Sequence, residues 1–310
     1  MTAARVIEVL RAGLCDLVMD GGRSGYTHLG VPSGGAADAL ALRWANRLVG
    51  NVDGAAGLEI TLKGPVLAFP QGGAVALIGA PFAASRSSGD AVDWNETLIM
   101  APDEQLDIGA ASSGCRCWLA VQGGIEVPEV MRSRSTFLPA GFGGLDGRAL
   151  KAGDQLALGE ASVAQRVLRI QPPFANESAP LYVVPGPQVA HFTDAGLAAF
   201  FNSTYRVDSA SDRRGIRLQG APVPVAAQDG IATQAVLPGA IQIPPDGQPI
   251  ILGWDGPVTG GYPVTAGLVS ADLARLAQLK PGDAVRFATM TVESARTLAR
   301  NRDVEVMDGY

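Results

Sequence analysis

Glycine and proline, 39 and 21 of them, cut this chain into short and often alternating apolar runs. That punctuation constrains the fold most, because short runs bounded by tight-turn residues are strands and many in succession make a mainly β protein. Strands are expected at Arg5–Val9, Leu14–Met19, Leu58–Thr61, Val66–Phe69, Ala74–Ile78, Thr97–Met100, Cys117–Val121, Gln155–Leu158 and Val167–Ile170. Further on, they are expected at Leu181–Val184, Tyr205–Val207, Gly215–Leu218, Ala240–Ile243, Ile250–Gly253 and Ala284–Thr289. Helices are few. The clearest is Ala36–Val49, where Leu40, Trp44 and Leu48 make one apolar stripe before Gly50. Others are expected at Asp194–Phe201 with Thr193 as N-cap, at Ala271–Gln278 behind Ser270, and at Val292–Arg300.

The two halves echo each other. Cys117–Ile125 is an apolar strand ending in Gly-Gly, and Leu150-Lys-Ala-Gly-Asp-Gln-Leu156 follows it. Ile250–Tyr262 repeats the strand and the Gly-Gly, and Leu279-Lys-Pro-Gly-Asp-Ala-Val285 follows in turn. The same order of elements in both halves favours a duplicated barrel-like unit over chance recurrence of turns. The expected division is 1–165 and 166–310, with Gln171–Pro180 as connector.

A length of 310 residues with 47% hydrophobic and 17% charged residues supports a well-buried core. A net charge of −6 argues against nucleic acid or an anionic membrane as partner, since both select a basic face. No apolar run is long enough to cross a bilayer, and Met1–Arg11 lacks the pattern of a secretory leader, so a cytoplasmic location is expected. Cys15 stands alone, while Cys115 and Cys117 alternate on a strand. With only His28 and His191 beside them, buried structural thiols are expected rather than a metal site, which takes about four ligands.

The most reaction-like segment is Arg23–Asp38. One glycine-rich loop there collects Arg23, Tyr26, His28, Ser33 and Asp38, which favours a binding role over a decorated turn. Backbone N–H groups from Ser33 to Ala37 could face an anion at the start of the first helix. Arg132 and Arg134, if their segment is extended, share one side as a carboxylate clamp, with Ser133 and Ser135 on the other; a solvated edge is an equal alternative. In the second half the Asp212-Arg213 turn and the Trp254–Pro263 stretch bring Arg213, Asp255, Thr259 and Tyr262 forward, against a plain kinked hairpin. The chain has no Gly-x4-Gly-Lys-Ser/Thr loop, no Gly-x-Gly-x-x-Gly from strand to helix, no Gly-x-Ser-x-Gly elbow and no lysine between two methionines.

Together these blocks resemble a known family. Gly22–Asp38, Ala45–Asn51, Leu58–Leu62, Val121–Ile125 with Ser133–Thr136, Ser211–Arg213, Pro238–Pro249 and Thr259–Pro263 are similar, in order, to the C-type subunit of 5-oxoprolinase. The same family is labelled allophanate hydrolase subunit 2, KipA-like, or biotin-dependent carboxyltransferase. The resemblance spans about Val6 to Phe287 and implies tandem cyclophilin-like β-barrels. It implies His28, Asp38 and Arg23 as catalytic residues. Asn46, Glu59 and Gln122 join the binding set through the matching blocks. It also implies a B-type (KipI-like) partner subunit and a third subunit, which together open 5-oxoproline to glutamate with ATP. No cofactor is expected to be covalently bound.

One departure stands out. Many relatives carry Asp-Arg-Gln-Thr-Thr before Gly-Gly-Tyr-Pro-Lys, whereas this chain has Asp255-Gly-Pro-Val-Thr259 and Val264. The Asp-Gly-Pro form is closer to urea-carboxylase-type relatives, in which carboxybiotin from a partner delivers the carboxyl group. A third reading, of another class, is a regulatory antagonist that binds a KipI-like kinase inhibitor.

Overall fold

The computed structural model describes residues 5–161, 168–170, 179–225 and 231–308. The chain divides into two compact units, one of Met1–Arg23 with Gly34–Pro172 and one of Ser24–Ser33 with Pro173–Asp308.

The first unit holds two antiparallel sheets. One runs in the order β10 (Ile125–Glu126), β11 (Gln155–Leu158), β1 (Val6–Arg11), β4 (Val66–Phe69), β8 (Glu104–Ala111), β6 (Phe82–Arg86). The other runs β2 (Cys15–Met19), β3 (Gly57–Thr61), β9 (Arg116–Val121), β5 (Gly73–Gly79), β7 (Thr97–Met100). Their facing side chains share one core: Ile7, Leu67, Leu106 and Leu156 from the first sheet meet Leu58, Ile60, Leu77, Cys117, Leu119 and Val121 from the second. Each such side chain contributes roughly 1.5–3 kcal/mol on burial. Central strand β9 is buried at every position, as its near-continuous apolar sequence requires. Cys117 lies in that core, and burial, helped by the nearby Asp16 carboxylate, pushes its thiol well above the ordinary range. Cys115 is buried too, and Cys15 is half-buried.

The second unit carries an eight-stranded sheet in the order β20 (Ala284–Val285), β13 (Tyr205–Val207), β14 (Gly215–Gln219), β17 (Ile250–Leu252), β16 (Ala240–Gln242), β19 (Val264–Leu268), β12 (Leu181–Pro185), β21 (Phe287–Thr289). Its two edge strands, β20 and β21, are consecutive in the chain with only Arg286 between them. That link draws the edges together, and the sheet nearly closes into a barrel. A separate pair, β15 (Gln234–Ala235) with β18 (Thr259–Gly260), falls between its strands in sequence.

The Leu-Lys-x-Gly-Asp echo is one turn built twice. Asp154 Oδ2 accepts the Lys151 amide at 2.7 Å, and Asp283 Oδ2 accepts the Lys280 amide at 2.9 Å. Gly153 and Gly282 take φ of 89° and 90°, where a Cβ would be strained. Each glycine amide donates to a valine carbonyl, Val9 or Val207, on the strand that the turn feeds against. The Gly-Gly breaks are not alike. Gly123 and Gly124 both have positive φ and turn the chain from β9 into β10, whereas Gly260 lies within β18.

Most expected strands form within a residue or two of their expected bounds. The run Ala284–Thr289 is split in two by Arg286, and β6, β8, β10, β15, β18 and β19 add to the expected set. The expected Val167–Ile170 strand survives as a single bridge, Arg169 to Glu96, with Val167 outside the described residues. The connector residues 171–178 also lie outside them.

Helix α1 spans Ala39–Leu48 and starts after its expected bound at Ala36, because Asp38 caps it. Helix α2 (Asp194–Asn202) has the expected cap, Thr193 Oγ1 accepting the Gly196 amide at 3.0 Å. The third helix is a correction: Ser270–Asp272 is a 3-10 turn, α3 is only Leu273–Leu276, and Ser270 makes no cap. Asp272 instead accepts the Tyr182 amide at 2.7 Å. Helix α4 runs Val292–Asp308, longer than its expected end at Arg300.

Candidate functional site

Strand β2 delivers Asp20 to the interior, and its carboxylate organises the segment that opens the reaction-like loop. Asp20 Oδ1 accepts the hydroxyls of Ser133 at 2.7 Å and Ser135 at 2.6 Å and the Gly22 amide at 2.8 Å, and Oδ2 accepts the Arg134 amide at 2.6 Å. Four donors converge on this one carboxylate, so its burial is compensated by hydrogen bonds. Neither Asp20 nor Ser135 is among the site residues expected from sequence. The available signal is the Ser-x-Ser spacing, which on an extended segment puts both hydroxyls on one side.

Arg23 follows at once and is 1% exposed. It donates to the Ser135 carbonyl, and its guanidinium carbon lies 4.9 Å from the Phe142 ring centroid. Gly143 makes room for it, since a Cβ there would come within 3.0 Å of the guanidinium. The guanidinium is therefore held in one orientation by a carbonyl, a ring and the close approach of backbone.

Glu59 on β3 is wholly buried. Its Oε2 accepts the Ala37 amide at 2.7 Å and the Trp118 indole N–H at 3.2 Å, and Oε1 lies 3.5 Å from the Arg116 guanidinium. The Asp20 carbonyl accepts the Ala36 amide at 2.9 Å, and Asp38 Oδ1 accepts the Leu40 and Ala41 amides at 3.1 and 3.0 Å. Of the amides from Ser33 to Ala37 expected to face an anion, those of Ala36 and Ala37 thus already serve the chain's own acceptors. Asp38, expected to handle a proton, is the helix N-cap.

The Gly-Gly amides expected to stabilise an oxyanion are paired as well: Gly123 donates to Asn51 Oδ1 at 2.8 Å and Gly124 to the Val121 carbonyl at 2.8 Å. Asn46, completely buried, donates to the Ala55 carbonyl and accepts from Asn51, bracing the exit of α1. Gln122 is buried at the end of β9 and its carbonyl accepts from Arg5.

The rest of the loop, Ser24–Ser33, groups with the second unit. His28 is exposed on a single 3-10 turn, Thr27–Leu29; Tyr26 is half-buried and Ser33 exposed. The Arg132–Arg134 clamp does not form, because the segment is not extended: Met131 and Arg132 take φ of 53° and 60°. Arg134 pairs with Glu126 at 2.8 Å and Glu129 at 3.0 Å, while Arg132 is exposed.

In the second unit, Arg213 and Asp255 form a buried two-bond pair, Nε to Oδ2 at 2.8 Å and a terminal nitrogen to Oδ1 at 3.1 Å. The Asp255 amide donates back to the Arg213 carbonyl at 3.0 Å, so side chains and backbone clasp the same two segments. Asp212 is exposed and pairs with Arg214, and Thr259 and Tyr262 are exposed. Gly260 packs against the Gln242 amide, where a Cβ has no room. Among the described residues no three His, Cys, Asp or Glu side chains are placed to hold a metal.

Residues 29–289 match the model of the carboxyltransferase domain, subdomain A and B. The chain belongs to that carboxyltransferase family. Among relatives, it is 39% identical to the C-type subunit of 5-oxoprolinase from Escherichia coli K12 over 94% of this chain and 93% of that protein. It is 33% identical to urea amidolyase of Lachancea kluyveri over 96% of this chain but only 18% of that protein. The crystal structure of K. lactis urea amidolyase superposes with a TM-score of 0.91 at 31% identity, covering all of this chain and 20% of that one. The carboxyltransferase-family chain thus corresponds to a whole subunit in one kind of relative and to a domain of a larger enzyme in the other.

Proposed function

We propose that this chain is the C-type subunit of an ATP-dependent 5-oxoprolinase, acting with a B-type (KipI-like) partner and a third subunit to open 5-oxoproline to glutamate. The observation that carries this reading is the end-to-end match with the C-type subunit of 5-oxoprolinase, 94% of one chain against 93% of the other. ATP enters as a co-substrate of the assembly, and no phosphate loop assigns its binding to this chain.

Within the reading, His28 moves the proton. His28 suits the task because it is exposed and its imidazole is not tied into the fold. Tyr26, Ser33, Thr259 and Tyr262 offer hydroxyls to the substrate. The test is reconstitution with the partner subunits and measurement of glutamate from 5-oxoproline. His28→Ala should lower kcat by about 10²–10⁴-fold while the subunits still assemble. A wild-type complex with no ATP-dependent glutamate would end the reading.

Carboxyl transfer from biotin on a partner protein is the second reading. Asp255-Gly-Pro-Val-Thr259 favours it, because two cations that many relatives carry there are missing. Its mark would be a biotin carboxylase and carrier that co-purify with the chain, and carboxybiotin consumption that depends on urea or another amide.

A further inference from the structure

The turn Val130–Ser133 is closed from both sides, with the Val130 amide 2.9 Å from the Ser133 carbonyl and the Ser133 amide 3.3 Å from the Val130 carbonyl. Its central residues, Met131 and Arg132, both lie in the left-handed region, at φ 53° and 60°. That is a type I′ turn, the geometry that Asn-Gly closes without strain and that a β-carbon resists. Neither side chain repays the strain by deep burial: Arg132 is exposed and Met131 half-exposed. What holds the turn is its foot, where Ser133 Oγ and the Arg134 amide are fixed to buried Asp20. The neighbouring Arg134 is committed to Glu126 and Glu129, whereas Arg132 has no carboxylate or hydrogen-bond acceptor among the described residues.

We infer that this strained turn exists to present the Arg132 guanidinium to the carboxylate of a small acid substrate. Sequence alone leaves Arg132 as half of a clamp or as a solvated edge, and the structure separates it from Arg134. A hairpin that needed only closure would not require Met-Arg, and a cation that served only solubility would not require an anchored tip. The planar fork matches a carboxylate through two parallel N–H bonds. The four charges at the site, Glu126, Glu129, Arg134 and Arg132, cancel, which suits a monoanion better than a polyphosphate. That the carboxylate is that of 5-oxoproline rests on the proposed function; the strained display does not.

Three variants of the reconstituted complex test this. Met131→Asn relieves strain and keeps the guanidinium, Arg132→Gly relieves strain and removes it, and Arg132→Lys keeps the charge without the fork. Met131→Asn and Arg132→Gly should each raise the Tm of the chain by about 2–4 °C. Met131→Asn should keep the KM for 5-oxoproline, Arg132→Gly should raise it about 10- to 100-fold, and Arg132→Lys should fall between. A lowered Tm in Arg132→Gly, or an unchanged KM, overturns the inference. So does an unchanged KM with weakened co-purification of the KipI-like partner, which would make the cation a docking contact. If the wild-type complex does not turn over 5-oxoproline, the functional reading fails separately. The inference is then decided by thermal protection of the chain with millimolar 5-oxoproline, acetate or bicarbonate. Protection should be present in wild type and Met131→Asn and lost in Arg132→Gly; none in wild type overturns it.

Discussion

Asp20 and Ser135 clasp each other twice: Ser135 Oγ donates to Asp20 Oδ1 at 2.6 Å, and Ser135 Oγ accepts the Asp20 amide at 2.9 Å. The clasp joins the end of β2 to a segment 115 residues further on, and through the Ser135 carbonyl it also sets Arg23. A buried oxygen that both donates and accepts cannot be removed without stranding a partner. Ser135→Ala should therefore cost about 2–3 kcal/mol and Asp20→Asn more, since its NH2 would face the Arg134 amide in one orientation and three donors in the other. Urea unfolding with both variants checks this. Midpoints equal to wild type would show that the clasp contributes nothing.

Asp16 and Glu104 should give stability opposite pH dependences. Burial pushes the Asp16 carboxyl up to about 6 despite the Gly13 amide 2.6 Å away. The folded chain therefore keeps a proton there that the unfolded chain releases near pH 4, and stability falls as pH rises from about 4 through about 6. Glu104 is held at about 2, first by its bonds to Arg86 and then by Ser88 and the Ala101 amide. Its contribution is complete above the ordinary carboxylate range and is lost as pH falls from about 4 toward 2. Asp16→Asn should stabilise the chain at pH 8 by on the order of 2–3 kcal/mol and hardly at all at pH 4, because the amide mimics the protonated acid. An equal effect at both pH values would contradict the assignment.

The strands that escape sequence reading show where local signals fail. Phe82–Arg86 is rich in alanine and serine, which have little intrinsic strand preference, and only pairing with β8 makes it a strand. Val264–Leu268 reads in sequence as the tail of a glycine-rich loop. It pairs with β16 through a register shift between Ile241 and Gln242, an irregularity that tertiary context imposes. The turns are legible because Gly153 with Asp154, and Gly282 with Asp283, carry their geometry within a single short stretch of sequence. The candidate site is legible as a segment but not as roles. Glu59 and Asn51 consume amides that sequence offers to a ligand, and partners as far apart as Ala37 and Glu59 have no local signature.

The Arg213–Asp255 pair should be worth far more as a pair than its members are singly. With both groups buried, Asp255→Asn or Arg213→Ala strands a charge and should cost about 3–5 kcal/mol. Replacing both with apolar residues, Arg213→Met with Asp255→Leu, should recover most of that loss. A double-mutant cycle by denaturation gives the coupling. Additive losses would mean that the two side chains do not depend on each other.

Asp38 provides the sharpest separation of a structural role from a catalytic one. Its Oδ1 accepts two amides of the first turn of α1, and asparagine caps a helix about as well as aspartate while being unable to carry the proton. Asp38→Asn should thus leave both stability and turnover of the reconstituted complex near wild type. Asp38→Ala should lose about 1 kcal/mol of stability. A fall in kcat of about 10²–10⁴-fold in Asp38→Asn, with unchanged unfolding, would return the proton-handling role to this carboxylate and leave the cap as its scaffold. If only Asp38→Ala is impaired, and in proportion to its lost stability, the proton must be moved by another group, and His28 is the titratable side chain that the same loop leaves exposed.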